Sequence, residues 1–220
     1  MSPISDADHR PSPSRRALWD ERHAAREPIE SFEPDPTLAD EIGSLRSGRA
    51  LDLGAGDGRN AVWLASKGWD VTAVDFSPVA LDRGRALATA RGVLVEWQLA
   101  DLLEWSPGAG RYDLVTLFFI HLPPDERRDV YARAAVAVAP GGTLLIVAHD
   151  RTNLADGVGG PQDPAVLFTP GEVAADLAGF RVDRADVVRR RAPDGRGPID
   201  AIVRAVRVAE NRTDGAGRRS

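Results

Sequence analysis

Apolar residues recur along this chain in two rhythms, helical and strand-like, and the two take turns. After Pro3, Pro11 and Pro13, scattered among Ser and Asp, the residues Ala17, Leu18 and Trp19 open a charged helical segment over 14–26. Pro28, Pro34 and Pro36 interrupt it. A second helix is predicted from Asp35 or Pro36 to Leu45, with Leu38, Ile42 and Leu45 on one face. Short apolar runs at 50–53, 71–74, 94–99, 113–119 and 143–148 then alternate with helical segments at 60–66, 78–91 and 123–138. Past Asp113, only Thr116 interrupts the fourth run, the mark of a strand buried on both faces of a parallel sheet. Ser77 and Pro78 supply a cap and a first helical residue, and Gly68 a helix stop.

Such alternation predicts right-handed βαβ units. Residues 149–169 carry no pattern, with Gly and Pro crowded into 157–161, and a loop of that length is more often functional than not. A short helix is predicted at 170–177. Strands at 180–188 and 199–206 flank a turn at 193–198 that contains Asp194–Gly195, a hairpin signal. The expected fold is α/β: a Rossmann-like, doubly wound, seven-stranded sheet ending in a C-terminal antiparallel hairpin. The expected organisation is a tail at 1–14, a helical cap at 15–46, a sheet core at 47–208 and a second tail at 209–220.

Composition narrows the chemistry. A chain of 220 residues suits one domain. The absence of Cys excludes disulfides, thiolate metal sites and a thiolate nucleophile. Lys67 is the only lysine among 28 basic residues, which reads as coding bias toward Arg rather than a phosphate-binding surface. With a net charge of −5, nucleic acid is not the expected partner. No run approaches the ~18 apolar residues of a membrane span, and the first residues do not resemble a secretory signal. A cytoplasmic protein, monomeric or homodimeric, is expected, without a metal.

The chemistry centres on Asp52-Leu53-Gly54-Ala55-Gly56-Asp57-Gly58-Arg59. Glycines after a strand and before a helix allow a tight turn and close approach of a ligand to the helix N-terminus. A dinucleotide fingerprint needs glycine three residues after the second glycine; Arg59 stands there. Asp52, Asp57, Asp75 and Asp101 all fall near the carboxyl ends of predicted strands. They would repel a diphosphate but suit a ligand with a sulfonium, an ammonium and ribose hydroxyls, such as S-adenosylmethionine. Asp75 is placed for the ribose, Phe76 for the adenine face and Asp101 for the adenine amino group.

These stretches together resemble the class I S-adenosylmethionine-dependent methyltransferases. The likeness runs through 52–58, the acidic second strand 71–76, the turn 100–102, the strand 113–119 and Pro140-Gly141-Gly142. It implies cofactor contacts from Asp52, Gly54, Ala55, Gly56, Gly58, Asp75, Phe76, Asp101, Leu102 and Phe118. Strand alternation turns only one of Phe118 and Phe119 to the site, and Phe118 is the choice. Trp19-Asp20-Glu21-Arg22 is similar to the small-molecule branch with tellurite-resistance and thiopurine-type enzymes, although His23 stands where an aromatic is usual. Trp19 and Arg22 are candidates for one half of a lid, and Asp150, Asn153 and Gln162 for the other. Methyl transfer needs a base only when the acceptor carries a proton. His149, oriented by Asp150, and His121 are the candidates at the ligand edge, with a solvated loop histidine the other reading of His121. A nicotinamide-dependent oxidoreductase and a non-catalytic S-adenosylmethionine-binding protein are the alternative functions.

Overall fold

In the computed structural model the described residues are 14–25, 33–190 and 196–209. The Asp194–Gly195 turn and nearly all of both predicted tails lie outside them. Ser14 is described, and its Oγ caps the first helix by accepting the Ala17 N–H at 3.3 Å.

The strand β1 (Arg49–Leu53) sits at the middle of the sheet. It pairs in parallel with β2 (Asp70–Asp75) on one side and β4 (Tyr112–Phe118) on the other. The next strands outward are β3 (Glu96–Leu99) beyond β2 and β5 (Val138–His149) beyond β4. The last two, β6 (Phe180–Arg189) and β7 (Ile199–Arg207), run antiparallel to each other, and β7 also lies antiparallel to β5. The order is therefore β3-β2-β1-β4-β5-β7-β6, the seven-stranded sheet with terminal hairpin that the sequence predicts. Chain direction around the sheet reverses between β1 and β4, and that reversal opens a crevice at the carboxyl ends of the parallel strands.

Period-two alternation sorts the core onto two faces. Leu51, Val115, Leu117, Leu144 and Ile146 share one face with Tyr131 and Phe168. Ala50, Leu114, Leu145 and Val147 share the other with Leu38 and Leu64. Both faces are covered, so the central strands read as unbroken apolar runs. The covering helices are α1 (Arg15–Ala24), α2 (Pro36–Ile42), α3 (Arg59–Ser66), α4 (Pro78–Arg91), α5 (Pro124–Ala137), the single turn α6 (Asn153–Asp156) and α7 (Pro170–Asp176). Proline near the start of α2, α4, α5 and α7 costs no hydrogen bond, because the first N–H groups of a helix lack partners anyway.

Several boundaries differ from the sequence reading, among them the end of α2, which stops at Ile42 rather than Leu45. Leu94 was expected inside β3 but lies 93% exposed, in the extended connection that follows the left-handed Gly92. β5 begins at Val138, which pairs with Tyr112 across a register irregularity where Gly141 takes φ +79°. The stretch expected to lack pattern is partly regular: β5 runs on through His149, and Asp150 forms an isolated bridge to Phe168.

Candidate active site

The crevice at the carboxyl ends of β1, β2 and β4 is a cleft of about 800 Å³. Its floor is the glycine loop. Gly54 and Gly56 both take positive φ, +69° and +54°, and the Gly56 N–H donates to Asp75 Oδ2 at 2.8 Å. Gly58 also takes positive φ (+77°), but a Cβ there would lie 2.4 Å from Trp97 Cη2. Its place is thus packed against β3, and it does not line the cleft. Gly58, expected as a ligand contact, is thus placed by the structure against Trp97 and outside the cleft lining.

Carboxylates ring this floor. Asp52, at 2% exposure, accepts the Thr116 hydroxyl on Oδ1 at 2.7 Å, while its buried Oδ2 has no hydrogen-bond partner. Burial is the main cause that pushes its carboxyl up to about 7; the neighbouring Asp75 adds to this, and Thr116 and Arg59 oppose it. Asp75 is also raised, again chiefly by burial, with the Ser77 and Gly56 N–H groups pulling the other way. Asp101, which ends the β3 connection, accepts the Leu103 N–H at 2.9 Å and faces the same cleft. Ala55, Phe76 and Leu102 line it as well.

Phe118 and Phe119 both border the cleft, against the expectation that only one would. The reason is local: Phe119 leaves the strand at φ +57°, the only non-glycine residue with positive φ among the described residues, and so escapes the alternation. The Arg190 guanidinium lies 5.2 Å over the Phe119 ring, and the His149 ring is 5.2 Å from it.

The roof is α1. Asp20 accepts the Ser77 hydroxyl, joining the roof to the start of α4. Trp19 lines the cleft, and Arg22 stacks on its ring at 5.0 Å without reaching the cleft. One turn on, His23 is 4% exposed and lines the cleft above the glycine loop. Its Nδ1 is paired with Asp57 of that loop. A Cβ on Gly56 would meet His23 Cε1 at 3.5 Å. The sequence offered one signal here, His23 at a place where the resemblance expects another aromatic, but a separation of 34 positions hid the pairing.

The other histidines are placed differently. His121 reaches the cleft, yet burial and His149 lower its pKa to about 4. The two rings stack at 5.3 Å, and His121 Nε2 accepts the His149 backbone N–H at 3.4 Å. His149 does not line the cleft: a Cβ on Gly160 would fall 2.5 Å from its Cδ2, so the loop covers it. Its Nδ1 faces Asp200 Oδ1 at 3.1 Å, across the antiparallel β5–β7 pair. Asp150, expected to orient that ring, instead accepts the N–H and hydroxyl of Thr152, at 2.8 and 2.6 Å. Asn153 clasps the loop to β7, donating to the Gly159 carbonyl and accepting from the Ile199 N–H. Exposed Gln162 donates to the Gly160 carbonyl. Asp150, Asn153 and Gln162 therefore build the loop and stand back from the cleft.

Residues 50–142 match the methyltransferase domain family. The chain belongs to the class I S-adenosylmethionine-dependent methyltransferases, with S-adenosylmethionine as cofactor. It is 30% identical over 155 residues to a 2-heptyl-1-hydroxyquinolin-4(1H)-one methyltransferase of Mycobacteroides abscessus, covering 67% of each chain. It is 32% identical over 139 residues to a ubiquinone biosynthesis O-methyltransferase of Bordetella avium, spanning 61% of this chain and only 57% of that one. The N-methyltransferase NodS of Bradyrhizobium japonicum, solved with S-adenosyl-L-homocysteine, shares the fold with a TM-score of 0.67 at 18% identity, over 86% of this chain and 97% of that one. The narrower likeness to tellurite-resistance and thiopurine-type enzymes rests on the sequence resemblance alone. Among the described residues no helix is long and apolar enough to cross a membrane.

Proposed function

We propose that this chain transfers the methyl group of S-adenosylmethionine to a small-molecule acceptor in the cleft under α1. One observation carries the cofactor half of the reading. Asp52 lines the cleft with a buried carboxyl whose Oδ2 has no hydrogen-bond partner, and Asp75 and Asp101 line the same cleft from the ends of successive strands. A buried carboxyl pushed up by desolvation is completed by a cation, and the cofactor brings an ammonium and a sulfonium. In this reading Asp52 and the loop from Gly54 to Gly56 hold the amino-acid part. Asp75 accepts from the ribose hydroxyls on its remaining lone pairs, while Phe76, Asp101 and Leu102 receive the adenine. The bound cofactor supplies an activated methyl carbon. What the chain itself does is align the acceptor with it and exclude water.

The small-molecule half is supported by the relatives, one named for a hydroxyquinolone and one for ubiquinone biosynthesis. The roof formed by α1 leaves a cleft of about 800 Å³, within the range of small-ligand sites. The same reading places the protein in the cytoplasm, monomeric or homodimeric and without a nucleic-acid partner. The acidic cleft supports the last point. The nicotinamide and non-catalytic alternatives are not favoured.

A thermal shift tests the reading. S-adenosylhomocysteine at a hundredfold excess over its Kd should stabilise the protein by about 2.7 kcal/mol, NADH should not, and Asp75→Ala should abolish the gain. Stabilisation by NADH alone would refute it. A product with one added CH2 from 2-heptyl-1-hydroxyquinolin-4(1H)-one, seen by mass spectrometry, would support the acceptor class.

A further inference from the structure

We propose that His23, held by Asp57, is the general base of this site, and that its acceptor is an aromatic hydroxyl that is neutral at physiological pH. The inference rests on the methyl-transfer reading above and adds the acceptor chemistry to it.

The geometry is that of a base with an orienting carboxylate. Both side chains are 5% exposed, and Nδ1 is the nitrogen that faces Asp57. A carboxylate on Nδ1 fixes the neutral ring as the Nδ1–H tautomer and leaves Nε2 with its lone pair. His23 makes no other hydrogen bond among the described residues, so Nε2 is open to a substrate proton. The neighbouring charges are consistent with that use. Asp57 is shared with Arg83 of α4, whose Nε lies 3.5 Å from Oδ2, and Asp75 of β2 also acts on the His23 charge. The alternatives are engaged elsewhere: His121 Nε2 accepts a backbone N–H, and His149 lies behind the loop.

The acceptor class follows from what needs a base and what fits the walls. A thiol ionises in part near neutrality and an arylamine carries a free lone pair, so neither requires His23. An alkylammonium requires it but has no flat face. Trp19, Phe118 and Phe119 line the cleft and suit an aromatic ring. In the reaction the hydroxyl proton passes to Nε2 and the oxygen bonds to the methyl carbon. The carbon–sulfur bond breaks with its electron pair left on the sulfur of S-adenosylhomocysteine, and His23 then loses the proton to solvent.

The test uses the full chain at pH 7.5 with S-adenosylmethionine and phenols, catechols and hydroxyquinolones. Each is paired with a nitro-substituted analogue that is ionised at that pH. His23→Gln, which keeps an amide donor toward Asp57, should lower kcat for the neutral member by roughly 10²–10⁴-fold and for the ionised member by less than about threefold. Asp57→Asn should act likewise, because its amide donates to Nδ1 and sends the ring proton to Nε2; Asp57→Glu should restore part of the loss. Calorimetric binding of S-adenosylhomocysteine should be retained in these variants. Nitrogen NMR of that complex should show Nδ1 protonated in the wild type and Nε2 protonated in Asp57→Asn. Equal loss on both members, no loss on the neutral one, or the opposite tautomer would overturn the proposal. So would binding without methylation of any member. Failure of the wild type to bind S-adenosylhomocysteine would instead sink the methyl-transfer reading beneath it.

Discussion

Asp52 makes the protein's stability depend on pH in a direction opposite to that of most carboxylates. Its folded value of about 7 stands above the ordinary 3.8 because burial penalises the charged form, which the Thr116 hydroxyl and Arg59 only partly offset. The folded protein therefore holds this proton up to about 7, while the unfolded chain releases it near 4. Between those values the folded state binds more protons, and stability falls as pH rises. Each pH unit in that window is worth about 1.4 kcal/mol, so the whole span from 3.8 to about 7 comes to at most about 4 kcal/mol. Asp52→Asn keeps an acceptor for Thr116 and cannot ionise. Urea unfolding of both proteins from pH 4 to pH 8 cancels every other titration common to them. The variant should gain on the wild type by up to about 4 kcal/mol across the range, or roughly 8–16 °C in Tm for a chain of this size. Saturating S-adenosylhomocysteine should shrink that gain, since its ammonium completes the wild-type carboxylate. Parallel curves, or a wild type that gains as pH rises, would refute the argument.

Other expectations follow from single contacts. Gly58→Ala puts a Cβ 2.4 Å from Trp97 at a left-handed φ; a loss of about 1–3 kcal/mol by denaturant unfolding is expected, with a change in tryptophan fluorescence as the loop shifts. The His121 ring, lowered to about 4, should remain neutral in an NMR titration from pH 8 down to about 5, and a midpoint near 6.5 would contradict its burial. The sign for stability is the reverse of Asp52: the unfolded chain gains this proton first, so stability is lost as pH falls from about 6.5 toward about 4. Asn153→Ala removes both the Gly159 and Ile199 bonds. It should loosen the 157–160 loop, read as faster amide exchange there, with little change in S-adenosylhomocysteine affinity.

The sheet and its ligand edge were legible along the chain because their causes are local. Strand–helix alternation, the glycines of 54–58 and the acidic residues at strand ends are all visible within a few residues of one another. Their physics, chain reversal and a ring of carboxylates, needs no distant partner to be recognised. The carboxylate environment was only half visible. That Asp52 stands at a strand end is a fact of sequence, whereas the burial that raises its pKa, and the Asp75 charge that adds to it, exist only once the chain is packed.

The histidines show the limit most clearly. Sequence order set His149 beside Asp150 and left His23 in an N-terminal helix with no partner. In the fold, the β5–β7 pairing brings Asp200 to His149, and Asp150 turns to cap its own loop. Docking of α1 over the glycine loop brings His23 to Asp57. Adjacent residues in a strand point to opposite faces, so neighbours in sequence are poor partners there. Partners across a sheet or under a helix are chosen by packing, which no local pattern encodes. The sequence alone thus determined the kind of fold and the edge where the cleft opens. Tertiary structure alone decided which imidazole meets a carboxylate in the open cleft, because that pairing depends on how α1 closes over the loop.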